Sequence, residues 1–211
     1  MARRIAEMAA LQEQHNLLVH PRWREQGHAY YRAVWVECAE LLDHFGWKWW
    51  KRQETDLDQV RLEIVDIWHF GLSELMRKDA VDNILAAQFA EGCDQPASVG
   101  FRQAVEAMAE ASLAAQDFDV GAFLNLMNAL PLTFDELYEI YVGKNTLNAF
   151  RQRHGYQKGE YLKTWQGRED NEHLAELVRE LDSRSADFVT ELQQALAERY
   201  AAARAEAETT S

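Results

Sequence analysis

Two pairs of carboxylates at helical spacing, set among apolar residues, constrain this chain more than any other feature. The stretch from Glu37 to Phe70 reads ECAELLDHFGWKWWKRQETDLDQVRLEIVDIWHF. Glu37 and Glu40 precede an aromatic turn, and Glu63 and Asp66 follow it. Residues three apart on a helix are neighbours on one face, with Cβ atoms roughly 5–6 Å apart, so each pair forms one oxygen pincer. A chain reversal between them lets two helices pack side by side with the pincers facing. Val34, Trp35, Val36, Leu41 and Leu42 surround the first pair, and Leu62, Ile64, Val65, Ile67 and Trp68 the second. A helix apolar on most sides is a buried helix. Acids buried together repel unless positive charge sits among them. All-oxygen ligation selects a hard cation, Mg²⁺ or Mn²⁺, over zinc. Either pair alone reads as a solvated helix face; the apolar setting sets the metal reading beside that one on equal terms.

The rest of the composition suits long helices. Only three prolines and ten glycines interrupt 211 residues, and 47% hydrophobic content fills a real core. The net charge of −13 argues against general nucleic-acid binding, which needs an excess of Lys and Arg. Cys38 and Cys93 form no disulfide framework and no CxxC motif. Glu7 and Glu13 interrupt the N-terminal stretch, unlike a secretory leader, and no apolar run of membrane-spanning length occurs. The expected compartment is a reducing cytoplasm.

Taken in order, the pattern predicts a helix over 3–18 with Ile5, Met8, Leu11 and Leu18 toward one side and the amides Gln12, Gln14 and Asn16 at the surface. A break at His20-Pro21 starts a second helix near Arg22 that runs to His44, where Gly46 serves as C-cap. Trp47, Trp49 and Trp50 then make either a packed aromatic cap or a stacking wall for a planar ring, with Lys51 and Arg52 beside it. A third helix spans Asp56 to Arg77. Helices over 79–92 and 98–116, and a short helix or turn over 117–129, read as scaffold or dimer surface. Thr133 and Glu136 form a capping box for a helix from Phe134 to Phe150. Asp170-Asn171 caps a helix over 171–182. Phe188, Leu192, Leu196 and Tyr200 mark an apolar stripe on a final helix. No linker divides the chain, so the expectation is one all-α domain over 1–211 with a helical tail from about 184.

The charge reverses sharply between Lys144 and Arg168. That segment holds Lys144, Arg151, Arg153, Lys158, Lys163 and Arg168 against Glu160, with Gly155, Gly159 and Gly167 and with Tyr156, Tyr161 and Trp165 interleaved. Glycine permits close backbone approach to a ligand, and Arg and Lys bind phosphate oxygens by charge-assisted hydrogen bonds. An exposed basic loop seldom carries so many aromatics, which favours an anionic ligand.

ECAE, WKWWK, LEIVDIWHF and YVGKNTLNAFRQRHGYQKGEYLKTWQGREDN together resemble the dimeric, all-α dUTPases. These belong to the all-α NTP pyrophosphatase superfamily, marked by ExxE followed after a gap by ExxD. The resemblance covers about residues 5–77 and 133–182. It implies a multi-helix bundle of the all-α NTP pyrophosphatase type, a homodimer, and hydrolysis of dUTP, with dUDP as a further substrate, to dUMP. It implies that Glu37, Glu40, Glu63 and Asp66 ligate Mg²⁺, with Glu37 or Glu40 as general base. Asn145, Arg151, Lys158, Tyr161, Lys163, Arg168 and Asn171 match positions that touch phosphates or order the loop over them. Trp47 and Phe70 match contacts to base and sugar, and His69 falls beside the sugar. The uracil edge is read by an amide pair on the first helix. Asn16 fits one of these; the residue three before it is Glu13, so Gln12 is taken as the other.

Three rivals remain at this level. A relative with another base preference, such as dCTP, is separated by a substrate panel. The four intact acids argue against a non-catalytic nucleotide-binding helical dimer, and activity lost in Glu63→Ala with nucleotide binding retained would favour the enzyme. A di-iron bundle needs a second acid-and-histidine pair at the spacing of Asp66 and His69, which the first acid helix lacks.

Overall fold

The computed structural model describes residues 1–182, 185 and 187–210, the last four of these by backbone alone. Among the described residues the chain forms an all-α bundle: nine α-helices, two 3-10 turns and one hairpin of two-residue strands. Contacts divide it into two compact units, Met1–Tyr141 and Val142–Ser211. The point near residue 184 where the tail was expected to begin lies outside the described residues.

In the first unit, α1 (Ala2–Val19) buries Ile5, Met8, Gln12 and Asn16. The stripe is apolar in its first half and polar in its second. The surface placing expected of the amides therefore holds for Gln14 but not for Gln12 and Asn16. Leu18, expected on the inner side, is exposed, because the buried stripe runs through Asn16 instead. The second helix does not start at Arg22. A 3-10 turn, Trp23–Glu25, comes first, Gly27 takes a positive φ of 64°, and α2 begins at Tyr30 and ends at Phe45. Gly46, at φ 89°, ends it as expected, its N–H donating to the Leu42 carbonyl at 2.9 Å.

Helix α3 (Leu57–Arg77) starts at Asp56, whose side chain accepts from the Gln59 N–H. It packs along α2 and is the most buried helix of the unit, with Leu62, Ile64, Val65, Ile67, Trp68 and Leu72 inside. Helix α2 is less enclosed than its sequence suggests. Val34, Cys38 and Leu41 face inward, whereas Trp35 and Val36 lie on an open face.

The middle helices are α4 (Asn83–Gly92), α5 (Phe101–Ala115) and α6 (Val120–Ala129). Asp82 and Asp119 cap the first and last of these, each cap worth about 1 kcal/mol. These helices surround Trp68 with aromatic rings: Phe123 stacks on it at 5.3 Å and Phe89 lies tilted at 5.0 Å. The middle region is thus core that holds α3 in place.

Helix α7 (Phe134–Arg153) opens with the expected capping box: Thr133 N–H donates to Glu136 Oε2 at 2.9 Å and Glu136 N–H to Thr133 Oγ1 at 3.2 Å. The second unit continues through a 3-10 turn (Tyr156–Lys158) to β1 (Thr164–Trp165) and β2 (Arg168–Glu169), paired antiparallel. Helix α8 (Asp170–Glu180) is capped by Glu169 rather than by Asp170-Asn171, which enter its first turn and point inward. Helix α9 (Phe188–Thr210) buries Phe188, Leu192, Leu196 and Tyr200, the expected stripe. Tyr161 stacks on Tyr200 at 5.2 Å and Trp165 is fully buried, so these two aromatics of the basic segment pack inward, whereas Tyr156 is exposed.

Candidate functional site

Packing α2 against α3 brings three of the four predicted acids together. Ligand oxygens of Glu37, Glu63 and Asp66 all lie within 4.8 Å of one another. Glu63 is buried, while Glu37 and Asp66 are half-buried. Glu40, one turn on from Glu37, is exposed and stands outside this trio. His44 Nε2 lies 3.7 Å from Glu63 Oε1. Burial pushes the Glu37 carboxyl up to about 9, reinforced by Asp66 and then by Glu63 and Glu40. Three carboxylates this close cannot all ionise without added positive charge. The donor set is all oxygen, mixed buried and accessible, and has the chemistry of a hard divalent-cation site.

The aromatic turn after α2 is braced and open. Gln53 Oε1 accepts the backbone N–H groups of Trp47 and Lys48, at 2.9 and 2.8 Å. Arg102 donates to the Gly46 carbonyl, and Trp47 Nε1 donates to Asp43 at 3.1 Å. Trp49 is 90% exposed and Trp47 46%, which excludes the packed aromatic cap. The indoles instead line an open cleft of about 450 Å³ with Lys48, Lys51, Arg52 and Arg102.

Further along α3, His69 and Ser73 meet the amides of α1. Gln12 Nε2 donates to Asn16 Oδ1 and to Ser73 Oγ, each at 3.0 Å, and Asn16 Nδ2 donates to Ser73 Oγ at 3.0 Å. Gln12 Oε1 receives the Tyr141 hydroxyl and pairs with His69 Nδ1, both at 2.7 Å. An amide oxygen only accepts, so that imidazole nitrogen carries the proton. The His69 ring stacks on Tyr141 at 4.2 Å. Glu13 is engaged elsewhere: Arg24 bonds it at 2.7 and 2.6 Å and holds its carboxyl below the usual range against the effect of burial. That explains why Gln12, not residue 13, joins Asn16. Phe70 is half-buried against the core.

In the second unit, Arg151 grips Asp170 with two bonds, at 2.8 and 2.7 Å. Tyr161 donates to Asp170 at 2.7 Å, and Asn171 Oδ1 accepts from Lys144 at 2.9 Å and Arg151 at 3.1 Å. Burial alone would raise Asp170, but the Arg151 bonds outweigh it and hold the carboxyl low. Asn145 Nδ2 is buried and has no hydrogen-bond partner among the described residues. Lys158 is exposed, Lys163 pairs with Glu169 at 3.1 Å, and Arg168 pairs with Glu176. The structure therefore gathers Arg151, Tyr161 and Asn171 around Asp170 and leaves Lys158, Lys163 and Arg168 at the periphery of the unit.

A family model described as dUTPase matches residues 4–156 of the chain. The chain belongs to the dUTPase family. Its reaction is accordingly the hydrolysis of dUTP, as a dUTP diphosphatase. The matched range includes residues 78–132, where the sequence pattern offered only scaffold, and ends before Lys158, Tyr161, Lys163, Arg168 and Asn171. No curated protein matches the chain. Among the described residues, no helix of this dUTPase is long and apolar enough to cross a membrane. Three polar residues of the dUTPase were not singled out from the sequence as site residues: Ser73, Tyr141 and Lys144. Their signal was burial against the hydropathy pattern. Ser73 sits four residues after His69 in an apolar helix, and Lys144 is 1% exposed despite its charge.

Proposed function

We propose that this dUTPase converts dUTP, and dUDP as well, to dUMP with a divalent cation, Mg²⁺ or Mn²⁺, held by Glu37, Glu63 and Asp66 with Glu40 beside them. The convergence of the three acid oxygens within 4.8 Å carries this reading. The residues present fit the ion: hard oxygen donors, and a Glu37 carboxyl raised to about 9 where added positive charge is lacking. When bound, the cation supplies charge neutralisation at the phosphate oxygens and Lewis acidity toward the attacking water.

The remaining roles belong to side chains. Glu40 takes the proton of the attacking water; its exposure and its place outside the trio support that role over Glu37. Asn145, Arg151, Lys158, Tyr161, Lys163, Arg168 and Asn171 serve the phosphates, with Lys144 added to them because it shares the Asn171 oxygen with Arg151. Trp47 and Phe70 flank base and sugar, His69 lies by the sugar, and Gln12 and Asn16 meet the uracil edge. The protein works as one functional domain over 1–211, as a homodimer, in the cytoplasm, where it limits uracil incorporation into DNA and supplies dUMP. Free, buried Cys38 and Cys93 suit a reducing compartment.

The acids are tested together. Glu63→Ala is expected to abolish both Mg²⁺ binding and dUTP turnover, a loss beyond the ~10–100-fold typical of removing an outer partner of a metal site. Glu40→Gln is expected to lower kcat while calorimetry still detects the cation. Full turnover by Glu63→Ala would remove the metal-site reading.

A further inference from the structure

Helix α9 lies wholly beyond the matched range, yet it reaches into the basic segment. Its buried stripe is Phe188, Leu192, Leu196 and Tyr200, and only the last carries a polar side-chain atom. Phe150, His154 and Trp165 close around the Tyr200 ring, so packing asks for a ring there but not for a hydroxyl. The Tyr200 oxygen accepts the backbone N–H of Leu162 at 3.3 Å. Trp165 Nε1 donates to the Leu162 carbonyl at 2.7 Å, and the Asp170 N–H donates to the Lys163 carbonyl at 3.0 Å. The backbone is thus held on both sides of the Lys163 Cα. The Tyr200 ring has a second contact of consequence. It lies nearly parallel to Tyr161, at 12° between planes, while Phe150, Tyr156 and Trp165 meet Tyr161 edge-on. The Tyr161 hydroxyl shares Asp170 Oδ2 with Arg151 Nε. Where the Tyr161 ring lies therefore bears on how the Asp170 carboxylate, and the Arg151 guanidinium on it, are turned.

We propose that Tyr200 is a positioning residue for phosphate binding: its hydroxyl sets the backbone that carries Lys163, and its ring sets Tyr161 and, through Asp170, the Arg151 guanidinium. The proposal rests on the reading above that Lys163 and Arg151 serve the phosphates. A lysine ammonium is a point charge on a flexible stem, so where its Cα is held decides what it can reach. Lys163 pairs with Glu169 at 3.1 Å, both side chains about half exposed, and an exposed pair of that kind is weak enough for a polyphosphate to displace. Arginine binds phosphate through a planar fork, so its orientation matters as much as its place. One side chain of the last helix acts on both cations, which makes α9 part of the phosphate-binding machinery.

The experiment measures inhibition of dUTP hydrolysis, with Mg²⁺, by inorganic pyrophosphate and by deoxyuridine, for the unaltered protein, Tyr200→Phe, Tyr200→Leu and Lys163→Gln. Tyr200→Phe keeps the ring and loses only the acceptor for Leu162. It is expected to quicken hydrogen exchange at the Leu162 amide and to raise the pyrophosphate inhibition constant on the order of tenfold, with deoxyuridine inhibition unchanged. Tyr200→Leu, which also removes the stacking face, should raise the pyrophosphate constant further. A packing role alone would weaken both probes together or neither. Equal weakening of the two probes therefore overturns the proposal, as does unchanged pyrophosphate inhibition in Tyr200→Phe where Lys163→Gln impairs it. Should Tyr200→Leu not fold, Tyr200→Phe alone carries the decision. Pyrophosphate inhibition undiminished in Lys163→Gln would instead sink the phosphate role of Lys163, and with it the reading on which the proposal rests.

Discussion

Glu37 shows most clearly how one residue's surroundings become function. Its folded pKa of about 9 stands above the ordinary 4.5, with burial the largest cause and Asp66 next. A group raised on folding contributes stability that is complete below 4.5 and lost as pH rises through about 9. Metal-free protein in EDTA should therefore lose thermal stability as pH climbs across that window, and Mg²⁺ should restore it. Binding at pH 7 should also expel close to one proton, read by calorimetry in buffers of different ionisation enthalpy. Glu37→Gln should abolish the release, and no release from the unaltered protein would contradict the coupling. The spacing of the acids was legible in sequence because helical neighbours are fixed by geometry. The burial of Gln12 and Asn16 was not. An amide's hydropathy places it in water, and only the three-dimensional meeting with Ser73, His69 and Tyr141 gives it partners inside.

At the scale of elements, boundaries set by capping chemistry were legible and those set by packing were not. Asp56, Gly46 and the Thr133–Glu136 box behave as local chemistry dictates. The start of α2 was misread because the sequence between Pro21 and Ala29 is compatible with a helix, whereas the chain makes a tight turn that buries Trp23. The open face of α2 at Trp35 and Val36 was likewise invisible, since apolar character alone does not say which side has a neighbour. Helix α3 depends on one close approach: a Cβ on Gly71 would sit 2.3 Å from the Phe118 ring. Overpacking costs about 1–3 kcal/mol and the helix propensity of alanine returns about 1. Gly71→Ala should thus lower the denaturation midpoint, by a net amount of up to about 2 kcal/mol. In the second unit, Arg151→Met leaves the buried Asp170 with the Tyr161 hydroxyl and the Lys144 charge as its remaining support, which should cost about 3 kcal/mol. The sign of its pH dependence should also reverse. With Arg151 present Asp170 is held low, and its stabilising share disappears only as pH falls below its ordinary 3.8. Without Arg151, burial, the largest single effect on Asp170, is opposed by Tyr161 and Lys144 alone, and the variant should weaken as pH rises above 3.8. Urea titrations across pH 3 to 7, about two units around the carboxylate range, read both slopes.

For the molecule as a whole, function lies in the contrast between an acidic protein and its two special regions. The net charge of −13 keeps the surface hostile to polyanions. Within it the first unit brings three acids together, and the second gathers Arg151 on the Asp170 carboxylate and Lys144 on the neighbouring Asn171 amide. The family was legible because the acid pairs, the tryptophan turn and the glycine-spaced basic segment occur together in one chain. The contribution of residues 78–132 was not legible, because a scaffold helix shows no chemistry until its rings are seen packed on Trp68. The central claim is that Glu37, Glu63 and Asp66 hold a divalent cation on which uracil-nucleotide hydrolysis depends. The most direct measurement incubates dUTP, dCTP, dTTP and dATP separately with the protein, in Mg²⁺ and in EDTA, and identifies products by chromatography. The account predicts dUMP and pyrophosphate from dUTP in Mg²⁺ alone; equal turnover of dUTP in EDTA would contradict it.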